Sequence, residues 1–217
     1  WHARVWVNGE WVGEHLGGYL PFSFDITPHV NWQGCNRLLI AVQDPGDAGM
    51  QAHGKQSLHP RGIWYSGVSG IWQTVWLEPT PPLCIRRIKM TPDIQSGQLN
   101  LDVLVDGSIP ADLLVEATAL AEGRPAAFVR VRAGDRVVLN LAEPRLWSPA
   151  SPFLYELQLR LIHQRETLDE VGSYFALRQF DTGLDSQGQL RFRLNGEPIF
   201  LYGPLDQGYF PDGLYTA

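Results

Sequence analysis

The densest group of chemically useful side chains lies near the C-terminal end of the sequence. A short apolar run, Ile199 to Tyr202, leads into Gly203-Pro-Leu-Asp-Gln-Gly-Tyr-Phe-Pro-Asp-Gly-Leu-Tyr215, which holds Asp206, Gln207, Tyr209, Asp212 and Tyr215. A carboxylate and a carboxamide can take paired hydrogen bonds from neighbouring hydroxyls, and a tyrosine ring can cover an apolar face. Polar and aromatic residues crowded at the C-terminal end of a strand are how a parallel α/β barrel begins to build a site. One strand is not a barrel. The expectation is therefore a fragment whose chemistry lies beyond residue 217.

A second set sits in a loop from Asp44 to about Gly70, which contains six glycines, two prolines and two histidines. Asp44 opens this loop, and Trp64 and Tyr65 stand near its end. Each also has a plain structural reading: Asp44-Pro45-Gly46 is an ordinary turn sequence, and large aromatics pack between domains. His53, His59 and Asp47 lack the fixed spacing of a ligand set, so neither a metal nor another cofactor is expected.

The elements that must carry these residues are strands. Ala3 to Gly13 is a hairpin turned by Asn8-Gly9, and Arg191 to Leu201 is another turned by Asn195-Gly196, since this dipeptide supplies the positive φ angles of a type I′ turn. Leu20 to Ile26 alternates with period two, with Phe22, Phe24 and Ile26 on one face. Asn36 to Gln43 reads as an inner sandwich strand, and Ile71 to Glu78 as a strand burying Trp72 and Trp76 on one face. Pro79-Thr-Pro-Pro82 is a stiff linker and marks a domain boundary. Beyond it, seven short strands are predicted near Cys84–Met90, Leu99–Val105, Ala111–Leu120, Ala127–Val131, Arg136–Leu141, Leu154–Ile162 and Thr167–Arg178. That spacing is the signature of an immunoglobulin-like sandwich, here without the cysteine pair of antibody domains. Three segments result: a partial sandwich over residues 1–79, the immunoglobulin-like domain over 80–183, and a hairpin with the start of a barrel over 184–217.

Composition excludes several classes of function. With 44% hydrophobic and 11% aromatic residues the chain can bury a core and is not disordered. Net charge is -6 with no run of Lys or Arg, so nucleic acid is not an expected partner. No apolar run approaches the roughly 18 residues of a membrane helix. Cys35 and Cys84 are distant in sequence and read as buried free thiols. The compartment is not legible, although no Asn-x-Ser/Thr sequon suggests a glycosylated secreted protein.

Strung together, several motifs resemble glycoside hydrolase family 2, the β-galactosidase/β-glucuronidase family. Val7-Asn-Gly-Glu-Trp-Val-Gly13 with Gly17 to Thr27 resembles its sugar-binding jelly roll, and Ser69-Gly-Ile-Trp-Gln-Thr-Val-Trp-Leu77 the strand that ends it. Leu146 to Tyr155 and Tyr174 to Arg178 resemble a late turn and the last strand of the immunoglobulin-like domain. Leu194-Asn-Gly-Glu-Pro-Ile-Phe-Leu201 resembles the approach to the barrel. The resemblance implies an all-β chain: a partial jelly roll, an immunoglobulin-like sandwich and the first strand of a missing (β/α)8 barrel. It implies a retaining glycosidase acting on terminal β-linked sugars, with carbohydrate as partner and two glutamates on later barrel strands. No carboxylate here, Glu197 included, is then catalytic. The implied sugar contacts are Asp206, Gln207 and Tyr209, with Asp44, Trp64 and Tyr65 from the long loop. Arg178 resembles an arginine near the barrel mouth and is expected in a structural salt bridge. The alternative reading is a stand-alone carbohydrate-binding or adhesion module of two sandwiches. In either case open strand edges are expected to recruit a second copy weakly.

Overall fold

The computed structural model describes residues 1–205, and the described chain divides into two compact units, Trp1–Trp76 and Leu77–Pro204. Both are built from strands, as the alternating patterns require.

In the first unit β1 (His2–Val7) is central, with β2 (Glu10–Leu16) and β3 (Leu38–Gln43) antiparallel on either side. Asn8 and Gly9 take φ of 54° and 88°, the left-handed pair that a two-residue turn between β1 and β2 needs. Val5 and Val7 point to one face and are buried. β3 is not the inner strand expected: Leu38 and Leu39 are exposed, because no described layer covers them. Residues 20–26 also differ from expectation, since they form no ladder. Their rings pack instead on β2, where Phe22 stacks on His15 at 4.5 Å and meets Phe24 edge-on at 5.6 Å. Gly13 makes room for this, because a Cβ there would lie 2.5 Å from the Phe24 ring. Residues 71–78 likewise form no strand, and Trp72 and Trp76 are 42% and 69% exposed rather than buried together. The Trp72 indole N–H instead donates to the Gly18 carbonyl at 2.8 Å. Cys35 is exposed, contrary to expectation, and Cys84 is buried; both are free.

The second unit is the seven-stranded sandwich read from the sequence. One sheet runs β10 (Val137–Asn140), β7 (Gln98–Asp106), β6 (Cys84–Asp93). The other runs β12 (Glu166–Phe175), β11 (Tyr155–His163), β8 (Leu114–Ala121), β9 (Arg124–Arg132). Every second residue points inward. Leu99 and Leu101, Val115, Ala117 and Ala119, Val137 and Leu139, and Leu157, Leu159 and Leu161 form one buried cluster between the sheets. The outer face of the larger sheet carries the complementary pattern. Arg130, Glu116, Arg160 and Glu170 stand side by side in register across all four strands, with Arg160 to Glu170 at 3.0 Å. Such exposed cross-strand pairs contribute a few tenths of a kcal/mol each. Two polar ties close the sandwich: the Asp169 carboxylate accepts the Ile85 N–H at 2.7 Å, joining β12 to β6. The Tyr155 hydroxyl accepts the Arg145 N–H at 2.7 Å.

After the sandwich, β13 (Phe180–Leu184), β14 (Leu190–Leu194) and β15 (Glu197–Pro198) form a small antiparallel sheet, with Asn195 and Gly196 at φ 53° and 89° in its second turn. Among the described residues the expected strand at 199–202 pairs with nothing beyond an Ile199 N–H to Phe192 carbonyl bond of 2.8 Å. Among the described residues Arg178 forms no salt bridge; its guanidinium lies 4.4 Å from the Trp147 ring centroid, a cation–π contact.

One turn departs from sequence rules. β11 and β12 are joined by Gln164 and Arg165, at φ 49° and 71°, positions that favour Asn and Gly. Replacing Arg165→Gly removes a steric cost of about 1–2 kcal/mol and adds chain entropy of about 0.5–1 kcal/mol to unfolding. The expected result is a gain of roughly 0.5–1 kcal/mol in denaturant unfolding; a loss of stability would mean that the Arg165 side chain matters more than its backbone.

Candidate functional site

The loop that leaves β3 has almost no regular structure to hold it, so polar side chains do that work. Two short parallel strands, β4 (Gln56–Ser57) and β5 (Tyr65–Ser66), tie its middle to its later part. The Tyr65 N–H donates to the Lys55 carbonyl at 2.8 Å and the Gly67 N–H to the Ser57 carbonyl at 3.0 Å. Gln56 is the buried polar residue among those described; its Oε1 accepts the Val68 N–H at 3.1 Å. Asp47 is the other anchor. One of its oxygens accepts the Ser57 hydroxyl at 2.6 Å and the other accepts the Leu58 N–H at 3.3 Å.

These bonds shape a recess of about 370 Å³ lined by Asp47, His53, Gln56, Ser57, His59, Arg61 and Trp64. One aromatic wall, Trp64, faces hydrogen-bonding groups of both polarities. The His53 Nδ1 is buried there without a hydrogen-bond partner among the described residues. Such a surface suits a polyhydroxylated ligand, whose hydroxyls need donors and acceptors and whose C–H face needs a ring. Among the described residues no cluster of His, Cys, Asp and Glu is arranged to hold a metal ion.

The candidates from the sequence meet different fates. Trp64 lines the recess. Tyr65 is its neighbour on β5 and half-buried. Asp44 lies outside the recess lining, and its carboxylate accepts the Gly46 N–H at 2.8 Å, the Asp-Pro-Gly turn already weighed as its plain reading. Asp206, Gln207 and Tyr209, with Asp212 and Tyr215, lie outside the described residues. Gln56, Ser57 and Arg61 were not singled out from sequence. Within a glycine-rich loop nothing in their spacing marks them: Ser57 and Gln56 take their roles from tertiary hydrogen bonds to Asp47 and Val68, and Arg61 from its place in the recess wall.

The Ser57 hydroxyl, and after it the Leu58 N–H, hold the Asp47 carboxyl below its ordinary value. A depressed carboxylate stabilises the folded loop at every pH above its unfolded value of about 3.9, and that contribution fades as pH falls through the folded value. Hydrogen exchange at residues 56–58 is therefore expected to be flat from neutral pH to about 5, after correction for intrinsic rates, and to rise in stronger acid. The Asp47→Asn variant should abolish the rise; an unchanged acid limb would remove Asp47 as the anchor.

Comparison with known proteins gives this geometry its context. Residues 2–81 match the family model described as "Glycosyl hydrolases family 2, sugar binding domain", and residues 84–178 match "Glycosyl hydrolases family 2". A β-galactosidase of Thermoanaerobacter pseudethanolicus is 27% identical over 96% of this chain, which spans 28% of that protein. A β-galactosidase of Bacteroides ovatus is 29% identical over 93% of the chain, which spans 24% of it. Among solved structures, a β-glycosidase from Bacteroides vulgatus matches with TM-score 0.69 and 27% identity over 91% of this chain and 24% of its own. A β-glucuronidase from Ruminococcus gnavus matches in fold with TM-score 0.75 at 19% identity, over 93% of this chain and 34% of its own. The motifs, the all-β architecture and the two adjoining matches agree: this chain belongs to glycosyl hydrolases family 2 and carries its N-terminal portion.

Proposed function

We propose that the chain is a non-catalytic part of a retaining β-glycosidase acting on terminal β-linked sugars of the galactoside or glucuronide type. The observation that carries this reading is the order of the matches: a sugar binding domain and its family 2 successor lie side by side, within a chain spanning about a quarter of its β-galactosidase relatives. In this reading residues 1–79 are the sugar-binding-like domain, 80–183 the immunoglobulin-like spacer, and 184–217 the approach to a barrel. Retaining hydrolysis needs two carboxylates about 5–5.5 Å apart across the scissile bond. The recess offers a single carboxylate, already engaged by Ser57, so it contributes binding and not bond cleavage.

The loop 44–70 is the part of this chain best suited to touch sugar, through Trp64 with Tyr65 beside it. Asp206, Gln207 and Tyr209 supply hydroxyl contacts at the barrel rim, and Asp44 braces the loop base. Assay of the full gene product and of this chain, each verified by intact mass, on a panel of nitrophenyl β-glycosides tests the reading. Activity in the longer protein and none in the chain is expected. A gene product that ends near residue 217, or one inert on every sugar, would favour a binding module.

Both outer strands of the first unit, β2 and β3, lack a further neighbour among the described residues. Weak self-association of the chain through these edges follows. Light scattering is expected to show a molecular mass rising with concentration, and a strictly monomeric species would refute it.

A further inference from the structure

The two Asn-Gly turns share a constellation that their sequences do not advertise. In the first, the Asn8 N–H donates to the Arg37 carbonyl at 2.9 Å, and the Asn8 Oδ1 accepts the Arg37 N–H at 2.9 Å. Its Nδ2 then donates to a third segment, the His29 carbonyl at 2.7 Å, and to the Asn36 Oδ1 at 2.8 Å. The second turn repeats this. The Asn195 N–H donates to the Gln179 carbonyl at 2.8 Å, Oδ1 accepts the Gln179 N–H at 3.0 Å, and Nδ2 donates to the Trp147 carbonyl at 2.9 Å. The Trp147 segment is itself held by its N–H to the Leu177 carbonyl at 3.0 Å and by Arg178 over its ring. Each asparagine thus clamps three pieces of chain with one side chain.

An asparagine followed by glycine is also the least hindered setting for intramolecular imide formation, because the attacking backbone nitrogen bears no neighbouring Cβ. Of the six asparagines only these two precede glycine; Asn31, Asn36, Asn100 and Asn140 precede Trp32, Arg37, Leu101 and Leu141. We infer that Asn8 and Asn195 are latent deamidation sites, shielded in the folded protein by the clamps and modified only when a clamp opens. In the reaction the backbone nitrogen of Gly9 or Gly196 attacks the asparagine Cγ, and the new C–N bond closes a succinimide. The Cγ–Nδ2 bond breaks, and ammonia leaves with the amide proton. Water then opens either imide carbonyl to give aspartate or isoaspartate.

The attack requires the side chain to rotate so that Cγ faces the next nitrogen, and that rotation breaks the bonds to Arg37 and His29, or to Gln179 and Trp147. The change is also self-reinforcing. Either product replaces the Nδ2 donor with a carboxylate oxygen facing the His29 or Trp147 carbonyl, and isoaspartate lengthens the backbone of a two-residue turn. Modified Asn195 would free the terminal sheet from the sandwich segment at Trp147; modified Asn8 would free β1–β2 from the segment at His29.

The test is peptide mapping with isoaspartate detection on the full gene product carrying these residues, incubated at mildly alkaline pH with and without urea. In urea both Asn-Gly sites should deamidate well ahead of the other four asparagines. In the native protein both should be slower by at least about tenfold, since local opening must precede the chemistry. Asn36→Ala, which removes one Asn8 partner at the surface, should speed the Asn8 site and leave Asn195 unchanged; Arg178→Ala should do the reverse. Equal rates in native protein and urea would overturn the inference, and that comparison needs no variant. Variants that fold by circular dichroism yet change neither rate would also overturn it.

Discussion

The physical constraint on which the second unit depends is the removal of one face of every strand from water. Leu157, Leu159 and Leu161 on β11 are fully buried, and each contributes about 1.5–3 kcal/mol as an upper estimate. Because the side-chain period of a strand is two, this burial also fixes register: a slip of one residue would place Arg160 inside and Leu159 or Leu161 in water. The charge row Arg130–Glu116–Arg160–Glu170 follows from the same alternation. It stabilises little by itself, yet a one-residue slip of any of these strands would have to bury its charged member.

The first unit works under a different balance. Its buried apolar residues are few, Val5 and Val7 among them, while Leu38, Leu39, Trp72 and Trp76 stay exposed. Where apolar burial is thin, specific polar ties take over the task of specifying one structure. Asn8 joins β1 to the segments at Arg37 and His29; Asp47 and Gln56 hold the long loop at Ser57, Leu58 and Val68. Each such tie contributes about 0.5–1.5 kcal/mol net, but breaking one leaves a partner unsatisfied, which costs more wherever water cannot replace it. The recess is a consequence of this arrangement. Its lining residues converge because backbone groups of the loop had to find acceptors, and Gln56 and Asp47 supplied them.

Coupling between fold and proposed function therefore runs through side-chain amides and carboxylates more than through the hydrophobic core. The core holds the two sheets of the sandwich together, and the polar loop presents Trp64 beside hydrogen-bonding groups of both polarities. A ligand reaching the recess would meet groups already held in place, so less conformational entropy is lost on binding.

The sequence by itself determined the β architecture, the seven strands of the sandwich and both Asn-Gly hairpins. These features are local: alternation depends on neighbours two residues apart, and a type I′ turn on two φ angles. It also carried the family, through motifs whose order spans most of the chain. Tertiary structure alone decided the rest. Residues 20–26 and 71–78 alternate as strands do, but a strand exists only with a partner, and the Phe22, Phe24 and Trp72 rings found other contacts. The β11–β12 turn forms at Gln164-Arg165 without turn residues, because the strands packed on either side impose it. Of the candidate site, Trp64 was legible as an aromatic in a glycine-rich loop. Asp47, Gln56 and Ser57 acquired their roles only from contacts made by folding, and no spacing along the chain encodes a hydrogen bond that long-range folding creates.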